Sequence, residues 1–178
     1  IGRWKREEMP RKKKEAEERG AHLVFPDESG FMLAPTVRRT LAPRGQTPVQ
    51  KCSFRHEKIS AISAITISPK RHRLGLYFLL LPDNKNAHQE DVVRFLRLLK
   101  HHIHGPLTVV WDRSNTHDRA TLVRGYLARR PEIVTEKFPG YAPELNPPEQ
   151  IWTYTKYARL PNFAPRYTSD LRVRLTYE

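Results

Sequence analysis

DVVRFLRLLKHHIHGPLTVVWD, residues 91–112, contains the change of hydrophobic period that decides the fold. Apolar side chains first recur every three or four residues, which predicts one face of an amphipathic helix over about 88–104. They are Val92, Phe95, Leu96, Leu99 and Ile103. Gly105 and Pro106 then end this pattern, and the apolar run 107–111 predicts a buried strand that delivers Asp112 at its end. A helix followed directly by a buried strand is typical of an α/β fold.

Apolar runs on the N-terminal side of this stretch predict strands. Residues 22–25 form a short run that ends at a Pro-Asp pair, and residues 59–67 are rich in isoleucine. A basic turn separates the second run from residues 74–81, which together predict a hairpin. Residues 31–41 could form one more strand.

Alternation continues on the C-terminal side, where the pattern predicts a helix over 121–130, a strand over 133–138 and a helix over 147–158. The predicted order βββαβαβα belongs to an α/β mixed sheet flanked by helices. We interpret residues 1–20 as a charged linker helix, 21–160 as the folded unit and 161–178 as a C-terminal tail.

Composition restricts the class of partner. The chain has 178 residues, enough for one domain, and 32 Lys and Arg against 19 Asp and Glu give a net charge of +13. Such an excess favours a polyanionic partner, with nucleic acid first. No apolar run approaches bilayer length, and no G-x-x-x-x-G-K motif indicates ATP binding. The chain begins without Met or an apolar leader, so we expect a fragment that is not secreted.

Cysteine and histidine give no metal motif. Cys52 is the only cysteine, which excludes a disulfide framework and a cysteine-based zinc site. The histidines at 101, 102 and 104 lie close in sequence, but neighbours on a helix point in different directions and no acidic cluster accompanies them. We therefore expect no zinc site there.

Three carboxylates lie at strand ends or at a helix start, positions where catalytic residues are often found. Asp27 follows the first predicted strand, Asp112 follows the strand after the long helix, and Glu149 begins the last helix. If the two strands are neighbours, the carboxylates would cluster, and their repulsion would require protonation or bound cations. Oxygen ligands suit Mg²⁺ or Mn²⁺, and two such ions can activate a nucleophile at a phosphodiester.

Each carboxylate also has a purely structural interpretation. An Asp after a strand is often a turn former, and Glu28 could replace Asp27, although a neighbour in a strand should point to the other face. Asn146-Pro-Pro-Glu149 is also a capping-box pattern, in which Glu149 would serve the helix start. Spacing alone leaves these alternatives open.

Three motifs resemble those of mariner-related bacterial insertion-sequence transposases, in the DDE superfamily of endonucleases. They are FPDESGF at 25–31, VVWDRSNTH at 109–117 and YAPELNPPEQIW at 141–152. The last is the most specific, and 36 residues separate Asp112 from Glu149, close to the family's usual gap. The resemblance runs from about Trp4 to about Leu160.

This resemblance implies a ribonuclease-H-like fold and a catalytic domain over 21–160. It implies that Asp27, Asp112 and Glu149 bind two Mg²⁺ or Mn²⁺ ions, with His117 as an accessory catalytic residue near the phosphate. The partner implied is double-stranded DNA, as transposon ends and target, with a homodimer left open. The resemblance also implies that the protein acts in the bacterial cytoplasm, at the nucleoid, and does not associate with a membrane. Trp152 is expected to pack in the core, and Asn146 to shape the motif.

Two departures keep other functions open. The family carries helix–turn–helix domains before this region and this chain has none, so we expect poor sequence preference in DNA binding. Arg113 and Ser114 also follow the second Asp where small or amide residues are common. The alternatives are another ribonuclease-H-like nuclease, which would cut without joining, and a catalytically silent or domesticated DNA-binding fragment.

Overall fold

The computed structural model describes residues 1–52, 56–112, 120–140 and 142–177. Its strands are β1 (His22–Met32), β2 (Lys58–Ile67), β3 (Leu74–Leu80), β4 (Leu107–Trp111) and β5 (Ile133–Lys137). They form one sheet in the order β3-β2-β1-β4-β5. β1 is antiparallel to β2 and parallel to β4, while β2 and β3 form an antiparallel hairpin and β4 and β5 are parallel. The sheet is therefore mixed, as predicted.

Helices lie before, between and after the strands. They are α1 (Met9–Glu18), α2 (Gln89–His102), α3 (Thr121–Ala128), α4 (Pro147–Tyr154) and α5 (Thr168–Tyr177). π-helical turns precede α1 at Trp4–Glu8 and follow α4 at Thr155–Arg159. Among the described residues, the order of strands and α-helices from β1 to α4 is the predicted βββαβαβα.

The helices cover the sheet in two layers because successive strand residues point to opposite faces. On one face, Val24 and Val109 pack in a core with Phe95 of α2 and Val123 of α3. On the other face, two smaller cores lie against α1 and against α4 and α5. The first contains Ala16, Leu23, Phe25, Val110 and Phe138, and the second contains Phe31, Ile59, Ala61, Trp152 and Leu171.

The position of α2 follows from its local sequence. The Asp91 carboxylate accepts the backbone N–H of His88 at 3.1 Å, and His88 closes the capping box at the helix start. Lys85 Nζ donates to the same carboxylate at 2.6 Å, so this buried Asp is paired. The helix ends before Gly105, whose φ of +119° suits glycine.

β1 is longer than predicted, and two strand predictions are corrected. The strand continues through Asp27 to Met32, and residues 33–41 contain no strand. Pro26 does not end β1, because its carbonyl accepts Asn146 Nδ2 at 3.5 Å and so faces away from β2. The missing N–H of the proline therefore removes no bond of the β1–β2 ladder.

Both terminal segments pack onto the sheet. In α1, Lys12 is buried and its ammonium pairs with Glu136 of β5, while Arg19 Nη1 donates to Thr108 Oγ1 at 3.2 Å. The segment 161–178, interpreted as a tail, contains α5, whose Leu171 is only 2% exposed. Within the residues described, no helix has the length and apolar character to cross a bilayer.

Candidate active site

Asp27 and Asp112 are brought together by the parallel pairing of β1 and β4. His22 lies opposite Leu107, an offset of 85 residues, and the pairing ends at Val24 and Val109. Extended by three residues, the same offset would align Asp112 with Asp27. Because adjacent strands are separated by about 4.8 Å, this register predicts that the two carboxylates lie close together.

The two side chains also share a face of the sheet. Asp27 alternates with Phe25, and Asp112 continues the alternation of Val110, and both apolar residues pack against the α1 layer. Glu28 alternates with Val24, which packs against α2 on the opposite face. The structure therefore favours Asp27 over Glu28 as the member of the acidic site.

Glu149 lies in the first turn of α4, which packs against β1 on this same face. A capping role for Glu149 is not supported. The side chain of Asn146 makes no cap hydrogen bond, and the backbone N–H of Asn146, which Glu149 would accept in a capping box, donates to Pro143 O at 2.9 Å instead. Glu149 is exposed, as is Asp112, whereas Asp27 is partly buried. The packing of α4 therefore places Glu149 on the same side of the sheet as Asp27.

Asn146 connects the start of α4 to β1. The residue is 6% exposed, and its bond to Pro26 O joins the last motif to the residue next to Asp27. This contact agrees with the expectation that Asn146 shapes the motif.

Trp152 contacts Asp27 directly, a contact that the sequence did not predict. The indole packs at 72° against Phe31 with 5.7 Å between ring centroids, and it is 7% exposed, which confirms core packing. Its Nε1–H donates to Asp27 Oδ2 at 3.0 Å. Two features of the sequence could have indicated this contact. A buried tryptophan needs a hydrogen-bond acceptor for its N–H, and Trp152 lies one turn after Glu149.

The charge state of Asp27 reflects its neighbours. Burial raises the pKa of Asp27 to about 7, and the negative charges of Glu149 and Asp112 act in the same direction. Hydrogen bonds from the Glu28 N–H and the Trp152 indole oppose this rise in pKa. Glu149 and Asp112 are therefore close enough to Asp27 to affect its pKa.

We expect this pKa shift to make stability depend on pH in metal-free buffer. The unfolded chain releases the Asp27 proton near pH 4 and the folded chain near pH 7, so folding binds a proton between these values. The stabilising contribution is full below pH 4 and is lost as the pH rises through 7. As the pH rises from 5 to 8, the free energy of unfolding of Asp27→Asn should increase by about 2 kcal/mol relative to that of wild type. This figure is reduced to allow for solvent screening of the partly exposed carboxylate.

Urea unfolding at several pH values in EDTA measures this difference. The exposed Glu144 lies in the loop before α4, and Glu144→Gln is a control for removing one negative charge. A constant difference between Asp27→Asn and wild type from pH 5 to 8 would contradict the raised pKa.

A divalent cation suits the carboxylate donors of this site. No group of three His, Cys, Asp or Glu side chains is arranged to hold a metal ion in residues 1–52, 56–112, 120–140 and 142–177. The donors nevertheless fit Mg²⁺ or Mn²⁺, because hard divalent ions prefer carboxylate oxygens. Burial, together with the negative charges of Glu149 and Asp112, already raises the pKa of Asp27, and a bound cation would offset both effects. Ser63, opposite Asp27 on β2, and Asn146 each have a buried oxygen with no hydrogen-bond partner among the described residues.

The other sequence candidates are histidines, and the structure describes only some of them. His117 is in the segment 113–119, outside the described residues. His101 and His102 are on α2, on the opposite layer, with 5.1 Å between ring centroids. Their positions give no support to a zinc site.

Comparison with protein families gives one match. Residues 22–172, from the start of β1 into α5, match the family model described as DDE superfamily endonuclease. No curated protein sequence shows significant similarity to the chain.

Solved structures of Mos1 share the fold. The Mos1 strand transfer complex is 16% identical with a TM-score of 0.63, covering 94% of this chain and 49% of that chain. The mariner Mos1 paired-end complex with Mn is 15% identical with a TM-score of 0.62, covering 96% and 54%. The corresponding complex with Mg is 16% identical with a TM-score of 0.63, covering 95% and 53%. The chain spans about half the length of these Mos1 chains, and the likeness confirms the predicted fold.

Proposed function

Because the chain belongs to the DDE superfamily of endonucleases, we propose that it is the catalytic domain of a mariner-related DNA transposase. The observation that carries the proposal is the placement of three carboxylates on one face of the sheet, with Asp27 on β1, Asp112 directly after the neighbouring β4 and Glu149 in the first turn of α4, which packs against β1. The raised pKa of Asp27, caused by burial and by the charges of Glu149 and Asp112, agrees with this placement. A structural turn former would not need two further carboxylates beside it. The catalytic unit would comprise residues 21–160, with α1 and α5 packed at its ends.

Asp27, Asp112 and Glu149 are the proposed ligands of two Mg²⁺ or Mn²⁺ ions. When bound, the ions would activate the nucleophile and stabilise the leaving oxygen at a phosphodiester. Trp152 orients Asp27 by holding Oδ2, and the Asn146 contact keeps the start of α4 beside β1. His117 is a proposed accessory residue near the phosphate, by its place in the second motif.

The proposed reaction has two phosphoryl transfers. In the first, a water oxygen attacks phosphorus, the P–O3′ bond breaks, and the leaving oxygen takes a proton to become a 3′-hydroxyl. In the second, that hydroxyl attacks a phosphodiester of target DNA, and the displaced strand leaves with its own 3′-hydroxyl. Neither step needs a Ser or Tyr nucleophile.

Double-stranded DNA is the proposed partner, as transposon ends and as target. The net charge of +13 supports it, since basic residues supply phosphate contacts without sequence preference. The Mos1 complexes contain paired transposon ends, and joining two ends would suit a homodimer. The proposed place of action is the bacterial cytoplasm, at the nucleoid.

One assay separates this proposal from its alternatives. The protein is incubated with supercoiled plasmid and a labelled duplex that carries a free 3′-hydroxyl, in Mg²⁺, in Mn²⁺ or in EDTA. We expect nicked plasmid and labelled plasmid with either metal, and neither product in EDTA. Nicked but unlabelled plasmid would indicate a nuclease that does not join ends. DNA binding without either product would indicate a silent binding fragment and would contradict the proposal.

A further inference from the structure

A group of exposed arginines lies on the layer opposite the carboxylates. Arg94 and Arg97 are one turn apart on α2, Arg124 is on α3, and Arg129 and Arg130 follow the end of α3. The two helices pack side by side against the sheet face that contains Val24 and Val109. We call these five residues the α2–α3 basic face.

The centre of this face is ordered by a buried ring. Tyr126 is 5% exposed, and the guanidinium carbons of Arg97 and Arg130 each lie 5.7 Å from its ring centroid. Contact with one aromatic ring restricts both side chains and keeps two positive charges near each other. A ligand that binds both guanidiniums would therefore lose less side-chain entropy than on free arginines.

The positive charges of this face are poorly compensated. In the part of the chain that the structure describes, its only ion pair joins Arg130 to Glu132, at 3.6 Å. By contrast, Arg11 on α1 pairs with both Glu8 and Glu15 at 2.8 Å. Repulsion among unpaired cations lowers stability, and a polyanion would relieve it.

We propose that the α2–α3 basic face binds the phosphate backbone of a DNA segment other than the one at the carboxylates. The guanidinium fork matches phosphate oxygens in pairs, and the sheet separates this face from Asp27 and Asp112. The inference rests on the proposed function in taking DNA as the partner. It adds that the domain holds two DNA segments, on opposite layers.

The test measures the salt dependence of DNA binding in EDTA, where cleavage plays no part. Arg94→Gln/Arg124→Gln/Arg129→Gln removes three charges and leaves the Tyr126 contacts intact. The matched control, Arg3→Gln/Arg6→Gln/Lys13→Gln, removes three exposed charges from the N-terminal helix. Anisotropy of a labelled 30-base-pair duplex gives the affinity between 50 and 200 mM salt.

We expect the triple variant to lower the slope of log affinity against log salt by about 2.7, and the control to leave it near wild type. Between 50 and 200 mM salt, the affinity of wild type for DNA should then fall about 40-fold more than the affinity of the triple variant.

Equal slopes for the triple variant and wild type, or equal losses in variant and control, would overturn the proposal. Loss of binding to anionic vesicles, with DNA binding unchanged, would also overturn it and indicate a lipid surface. If wild type fails to cleave DNA while the slope difference remains, the proposed function is wrong and this inference stands.

Discussion

Asp112→Asn should abolish metal-dependent cleavage and strand joining while leaving the fold and DNA binding intact. The amide keeps the size of the carboxylate at an exposed position just after β4, so little packing changes. It lacks the charge that a hard divalent ion requires. A loss of about 4 kcal/mol of transition-state stabilisation corresponds to about a thousandfold slower cleavage. Nicking rate and DNA affinity are measured together for variant and wild type.

Glu28→Gln is the matched control for this experiment. It also removes one carboxylate close to Asp27 in sequence, but its position is on the other face of β1. We expect near-normal cleavage from Glu28→Gln and equal DNA affinity for all three proteins. Wild-type cleavage by Asp112→Asn, with reduced stability, would mean that Asp112 is a turn former and would contradict the metal-site proposal.

Trp152→Ala should lower the free energy of unfolding by about 3–5 kcal/mol, the usual cost of truncating a buried aromatic side chain. The indole fills the space between β1 and α4 against Phe31, and it holds Asp27. Trp152→Phe keeps most of the ring but loses the N–H donor. Denaturant unfolding at pH 8, where Asp27 is mostly ionised, measures both losses.

Two comparisons isolate the hydrogen bond. Because the indole lowers the pKa of Asp27, Trp152→Phe should raise that pKa further and move the pH dependence of stability upward. Trp4→Ala is the control for loss of an aromatic contact, since the Trp4 ring centroid lies 5.4 Å from that of Phe138 and Trp4 is only partly buried. We expect Trp4→Ala to leave the pH dependence of stability unchanged. An unchanged pH profile in Trp152→Phe would mean that the indole serves packing alone.

The sequence predicted the elements whose pattern is local. The helical period from Val92 to Ile103 located α2, because burial of one helix face requires that period. The continuous apolar run 107–111 located β4, because this strand is buried on both faces. Alternation after Asp112 located α3 and β5 to within a few residues. The fold class followed from the order of these elements.

The extent of β1 was not predictable from local pattern. Pro26 and the polar residues after it suggested a turn, yet pairing with β2 continues to Met32, and Phe31 lies opposite Ile59 in the core that also contains Trp152. Asp27 is therefore inside a strand, and its partner Trp152 lies 125 residues away in sequence. A hydrogen bond over that separation depends on tertiary packing, which the hydrophobic periodicity of the sequence does not predict.

The position of Asp27 within β1 limits how the chain can change in length. One residue inserted between His22 and Asp27 would transfer Asp27 to the opposite face of the sheet, because strand side chains alternate. Residues 33–52 can lengthen without that effect, since they lie outside the strands. Variation in loop size is therefore compatible with this acidic site, whereas a single-residue insertion in the first half of β1 is not.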